Sequence, residues 1–220
     1  MSNSSKIHIY FVPGLAASSN IFEFIRLPRD KFEFHFLEWI IPETRNESLE
    51  SYVNRLAENI YHKNPVLIGV SFGGIIVQEL SKIIQVKKLI LISSVKSTNE
   101  FPKGLKFLRI SRLYKLFPTK RISKVDDFSK FSLNGFLDKK TYLYNKYMKV
   151  RNKDYLDWAI FNLVHWNSDI NIDNITHIHG SEDQIFPIKY IENCIEIKGG
   201  NHVMIITKAK KINRILEEII

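Results

Sequence analysis

The chain has 220 residues, 45% of them hydrophobic, and a formal net charge of +9. That length suits one domain, and that apolar share is enough for a sizeable core. No apolar run of roughly 18 residues occurs, so no membrane-spanning helix is expected, and a single cysteine, Cys194, excludes an internal disulfide.

From the N-terminus, Met1–Lys6 shows no basic start followed by an apolar helix, so no secretory signal is expected and the cytoplasm is the expected compartment. Lys6–Val12 reads as a strand that runs into Pro13-Gly14-Leu15. Ser19–Leu27 reads as a helix and Phe32–Trp39 as a strand. Leu49–His62 reads as a helix that opens at Ser48 and buries Tyr52, Val53, Leu56 and Ile60 at helical spacing. A strand over Pro65–Val70, a helix over Gly74–Ile84 and a strand over Lys87–Ser93 follow. About eighty residues without a clear strand come next, with helices expected at Lys103–Leu116, Asp138–Val150 and Lys153–Val164. Ile175–Gly180 and Cys194–Lys198 read as strands, Ile188–Asn193 as a short helix, and Lys208–Ile220 as the last helix. This alternation predicts an α/β chain with a doubly wound, mostly parallel sheet of about six strands. Ligands then bind at the carboxyl ends of the strands.

The chemistry-bearing residues fall at those ends. Gly69-Val70-Ser71-Phe72-Gly73-Gly74 places a serine between glycines where a strand hands over to a helix. Only very small side chains fit beside so tight a turn, which exposes the hydroxyl as a nucleophile. His179-Gly180-Ser181-Glu182-Asp183 ends a later strand, and Gly199-Gly200-Asn201-His202 ends the last one. A carboxylate and a histidine thus follow the serine in the order Ser, Asp, His.

On these three motifs, and on the strand–helix rhythm between them, the chain resembles the α/β-hydrolase superfamily. The resemblance implies a Ser71–Asp183–His202 triad, and its H-G-x-x-D spacing selects Asp183 over the adjacent Glu182. It implies an oxyanion hole made by the N–H groups of Leu15 and Phe72, with Gly14 at the substrate. Pro13 stands where the superfamily usually has a histidine, which puts the geometry of that loop in question. Residues 1–96 and 169–220 would form the core, and 97–168 a helical lid inserted before the fifth strand. The implied activity is a carboxylesterase-like hydrolase of esters or thioesters acting on a small acyl substrate. A lyase or acyltransferase with the same triad, and a binding protein without turnover, are the alternatives.

Residues 100–168 hold 15 of the 32 Lys/Arg, 6 of the 23 Asp/Glu and 14 of the 27 aromatics. The excess charge therefore belongs to the expected lid. It reads either as an ordinary lysine-rich surface or as an attractor for an anionic substrate. Lys103, Lys106, Arg109, Arg112 and Lys115 recur every three residues, a row that winds round a helix and leaves no clean membrane-facing side. No nucleic-acid motif accompanies them, so neither nucleic acid nor stable membrane insertion is expected. His165 and Trp166 close the segment and read equally as pocket lining or core; Trp166 is the candidate substrate contact. Ser93 and Ser94 lack the glycine elbow and read as polar lining or caps. His177 and His179 share a strand face but have no third ligand at suitable spacing. His8, His35 and His62 show no partner. No metal and no cofactor are expected.

Overall fold

The computed structural model describes residues 6–120, 145–168 and 175–220. Six strands, β1 (Ile7–Val12), β2 (Phe32–Phe36), β3 (Val66–Val70), β4 (Lys88–Ile92), β5 (Ile175–Gly180) and β6 (Ile195–Ile197), form one sheet. Their order is β2-β1-β3-β4-β5-β6, and every pairing is parallel. The helices are α1 (Leu49–Ala57), α2 (Phe72–Ile83), α3 (Lys103–Ser111), α4 (Lys153–His165), α5 (Met204–Thr207) and α6 (Ala209–Ile219). Among the described residues no helix is long and apolar enough to cross a membrane.

Strand parity divides the core. Tyr10, Val12, Leu67, Leu89 and Leu91 face Tyr52 and Leu56 of α1, Ile76 and Leu80 of α2, and Trp158 of α4. Their neighbours Ile9, Phe11, Ile68 and Ile90 face Ile21 and Phe22 on one side and Ile212 and Leu216 of α6 on the other. β3 is buried along its whole length, as a strand covered on both faces must be. In α4, Trp158 stacks on Tyr52 at 4.0 Å between centroids and donates its indole N–H to the Glu47 carbonyl at 2.8 Å.

Several element ends differ from the sequence expectation. The helix expected over Ser19–Leu27 is one 3-10 turn, Ser19–Phe22; Pro28 disfavours helical backbone at the residue before it. α1 stops at Ala57, where the N–H groups of Asn59 and Ile60 turn to carbonyls three residues back. β2 ends at Phe36, and Trp39 instead points back into the core. The helix expected over Lys103–Leu116 breaks at Arg112, which is left-handed with φ 57°, into α3 and a 3-10 turn at Leu113–Leu116. The Ile188–Asn193 expectation is a 3-10 turn at Ile188–Tyr190, and α5 was not anticipated. Of the helix expected over Asp138–Val150, residues 138–144 lie outside the described residues.

The turn from β3 to α2 positions the site, and glycines make it possible. A Cβ at Gly69 would lie 2.3 Å from the Gly73 carbonyl oxygen; one at Gly73 would lie 2.3 Å from the carbonyl oxygens of Val12 and Pro13. The start of α2 is thus pressed against the end of β1, backbone on backbone. Gly73→Ala should cost on the order of 3 kcal/mol or more, read as a lower urea midpoint. Gly104→Ala, in α3 with open space around it, should be neutral or stabilising by about 0.5–1 kcal/mol.

Candidate active site

β1 turns out to one edge of the sheet and β3 to the other, so a crevice opens between their carboxyl ends. Ser71 stands at that crevice as the residue before α2, with φ 53° and ψ −120°. A non-glycine residue holds such a conformation only when its surroundings impose it. Here the Ser71 N–H donates to the Ile92 carbonyl at 3.0 Å, and the Ser94 hydroxyl donates to the Ser71 carbonyl at 2.7 Å. The backbone is pinned on both sides while Oγ stays outside the helix.

His202 reaches Ser71 from the far end of the chain. Its Nε2 lies 2.9 Å from Ser71 Oγ, and its Nδ1 lies 2.9 Å from Asp183 Oδ2 and 3.1 Å from Oδ1. Asp183 is buried, and Oδ1 also accepts the N–H groups of Ile185 and Phe186, each at 2.9 Å. Burial pushes its carboxyl up. The His202 hydrogen bond and charge, the Phe186 N–H and the neighbouring His179 outweigh burial and hold it below the usual carboxylate range. Glu182, the alternative acid, resides on the loop with its side chain near Gly199.

The Pro13–Ser19 loop closes the other side. A Cβ on Gly14 would lie 3.5 Å from Ser71 Cβ. The Gly14 carbonyl accepts the buried Trp39 indole N–H at 3.0 Å and the Ala17 N–H at 3.0 Å. Residues 147–150 tie down the same loop: Ser18 N–H donates to the Tyr147 carbonyl at 2.9 Å, and Val150 N–H to the Ala16 carbonyl at 3.0 Å. Among the described residues, the Leu15 and Phe72 N–H groups donate to no protein acceptor. Trp166 is placed in the core. Its indole N–H donates to Glu79 at 2.8 Å and its ring lies 6.0 Å from Phe101.

Two residues that sequence reasoning left without a role support Asp183. His179 Nε2 lies 2.8 Å from the Phe186 carbonyl, an acceptor only, so this nitrogen carries the proton. Its Nδ1 therefore accepts from His177 Nε2 at 3.1 Å. The pair braces the loop whose backbone holds the carboxylate. Their alternation on a strand was legible; the bond from His179 to Phe186, seven residues on, was not. Cys194 is half-buried, and burial pushes its thiol up.

No family model matches this sequence, and no curated protein does. Solved structures do match. A putative non-heme bromoperoxidase from Mycobacterium tuberculosis superposes with a TM-score of 0.69 at 13% identity, over 99% of this chain and 92% of that one. A structure from work on carboxylesterases of the thaumarchaeon Nitrososphaera gargenis gives 0.67 at 18% identity, over 97% and 89%. An epoxide hydrolase from Bacillus megaterium gives 0.66 at 13% identity, over 100% and 95%. The fold is that of the α/β-hydrolase superfamily, with a sheet of six parallel strands flanked by helices.

Burial pushes the imidazoles of both His177 and His179 below 6.5, the more so because each repels a charge on a neighbouring imidazole. Both are therefore neutral in the folded chain, and the unfolded chain takes up protons first. Stability should be complete above about pH 6.5 and fall below it, by up to about 1.4 kcal/mol per pH unit for each histidine. Urea midpoints between pH 7 and pH 5 measure this, and His177→Gln should flatten the slope.

Proposed function

We propose that the chain is a serine hydrolase that cleaves a small carboxylic ester or thioester through an acyl-enzyme on Ser71. The observation that carries this reading is the bridging position of His202, at 2.9 Å from both Ser71 Oγ and Asp183 Oδ2. A serine hydroxyl is a weak nucleophile near neutral pH and needs a base within hydrogen-bond reach. As Oγ bonds to the substrate carbonyl carbon, its proton passes to His202 Nε2. Ionised Asp183 orients the imidazole and stabilises the imidazolium. The carbonyl oxygen becomes an oxyanion, held by the N–H groups of Leu15 and Phe72, each worth on the order of 3–4 kcal/mol. Collapse breaks the bond to the alcohol or thiol, which leaves with the proton from Nε2. Water, deprotonated by the same nitrogen, then releases the acid and restores Ser71.

Trp39 acts on this chemistry through the Gly14–Leu15 peptide. The Gly14 carbonyl and the Leu15 N–H belong to one trans peptide and point in opposite directions. Fixing the carbonyl on the indole therefore aims the N–H. The loop lacks the histidine usual in its superfamily, and this bond gives it a support that Pro13 cannot. The basic, aromatic composition of residues 100–168 supports an anionic acyl substrate, drawn by the field of a lysine-rich lid.

A fluorophosphonate probe should label the wild type and not Ser71→Ala, which should fold normally and turn over no ester. A folded wild type that takes no label favours a binding protein without turnover; an active Ser71→Ala overturns the reading altogether. Trp39→Phe keeps the apolar ring beside Phe72 and Tyr155 but loses the indole donor. Its kcat should fall about tenfold or more with KM little changed; a purely structural role for Trp39 would lower Tm and leave kcat alone.

A further inference from the structure

The fold assembles a second group of side chains away from Ser71. His8 lies on the first half of β1, His35 on edge strand β2, and His62 in the connection from α1 to β3. Each can offer a ring nitrogen, and the three nitrogens lie within 4.8 Å of one another. His8 Nδ1 and His35 Nε2 are already 3.1 Å apart. Ligands on a tetrahedral zinc ion, at bonds of about 2.0–2.1 Å, sit roughly 3.3–3.4 Å from each other. The His8–His35 spacing is thus close to that of two ligands of one ion. His62 stacks on His8 with ring centroids 3.5 Å apart, tighter than two imidazoles on one ion allow. It must turn its ring to complete a set, and it is on a connection rather than a strand.

We propose that His8, His35 and His62 bind one divalent transition-metal ion of the imidazole-preferring class, such as zinc, cobalt or nickel, with water completing the tetrahedron.

The surroundings suit such an ion. Three half-buried imidazoles offer ligands without a charged donor, a set that selects these metals over calcium or magnesium. His62 Nδ1 lies 2.7 Å from the Tyr10 hydroxyl, and Tyr10 stacks on His35 at 4.5 Å. One residue of the sheet thus touches two of the three rings. Among the described residues Nε2 of His62 has no hydrogen-bond partner and remains for the ion. Glu33 Oε2, 3.9 Å from His8 Nδ1, adds a negative charge beside the group, and Lys6 opposes it. An open cleft lined by Ile60, His62, Lys63 and Pro65 lies beside His62. An ion here would tie the edge strand and the α1–β3 connection to β1. It would act on stability, since Ser71 and the Gly14 loop stand at the other ends of β3 and β1.

The full chain, stripped with chelator and dialysed, is titrated with Co2+ and with Zn2+. One equivalent of Co2+ should bind with a Kd below about 100 μM and give the intense visible bands of a tetrahedral nitrogen site. With Zn2+ at about a hundredfold over its Kd, Tm should rise by about 5 °C or more. His35→Gln and His62→Gln should each weaken binding at least about tenfold, while His202→Gln should bind as the wild type does. His62 is on a half-exposed connection, so its variant keeps the fold, as circular dichroism would verify. Absence of saturable binding overturns the proposal. So does binding that survives both His35→Gln and His62→Gln, or binding that His202→Gln removes.

Discussion

The structure depends on one close approach, that of the first turn of α2 to the end of β1. Neither Gly69 nor Gly73 leaves room for a methyl group, because each faces backbone carbonyl at 2.3 Å from where a Cβ would be. This contact fixes the angle at which the chain leaves β3. It forces Ser71 into a conformation that a non-glycine residue otherwise avoids. It also sets the Gly14 loop beside the serine, since the strand that Gly73 touches is the one that runs into that loop. The position of Ser71 and the two unengaged N–H groups near it are therefore consequences of one packing constraint. A looser turn would move all three.

Asp183 rests on a different kind of constraint. A carboxylate with almost no access to water must find its hydrogen bonds in the protein. Asp183 finds them in two backbone N–H groups and in His202. The loop that supplies the N–H groups would be free to drift, but its Phe186 carbonyl is held by His179, and His179 by His177. Polar groups linked in this way lower one another's cost of burial. The result is a rigid support on β5 for an imidazole that arrives on the segment after β6. His202 is itself only part-buried, so the support holds it from below while its Nε2 faces Ser71.

What the sequence disclosed follows from how local each feature is. The glycine-flanked serine, the loop acid and the histidine each mark the end of a strand, and their order along the chain supplied the link between them. The helix ends were less legible. Pro28, the 3-10 bonds after Ala57 and the left-handed Arg112 terminate elements whose hydrophobic spacing continues beyond them. Trp39 extends the β2 pattern in sequence, yet the sheet ladder stops at the Leu37 N–H to Phe11 carbonyl bond and the indole turns inward. Trp166 closes a segment rich in exposed apolar residues, but Glu79 on α2 gives its N–H a half-buried partner, and that pairing spans 87 positions. The histidines at 8, 35 and 62 are the extreme case. They stand 27 positions apart in turn, and parallel pairing of β1 with β2 brings the first two together.

The two histidine groups differ in one chemical respect that separates brace from ligand set. In both, burial presses down the proton affinity of a ring, that of His35 in one and of His177 in the other. A neutral imidazole has one donor and one acceptor nitrogen, so what it can do depends on how many are already engaged. His179 spends both, on Phe186 and on His177, and has nothing left to offer an ion. His62 spends one, on Tyr10, and His8 and His35 share a single bond between them. Each of these three rings keeps one nitrogen outside those bonds, whereas in the braced pair only Nδ1 of His177 is without a partner among the described residues. The number of free nitrogens, three against one, is what separates the loop brace from the proposed ligand set.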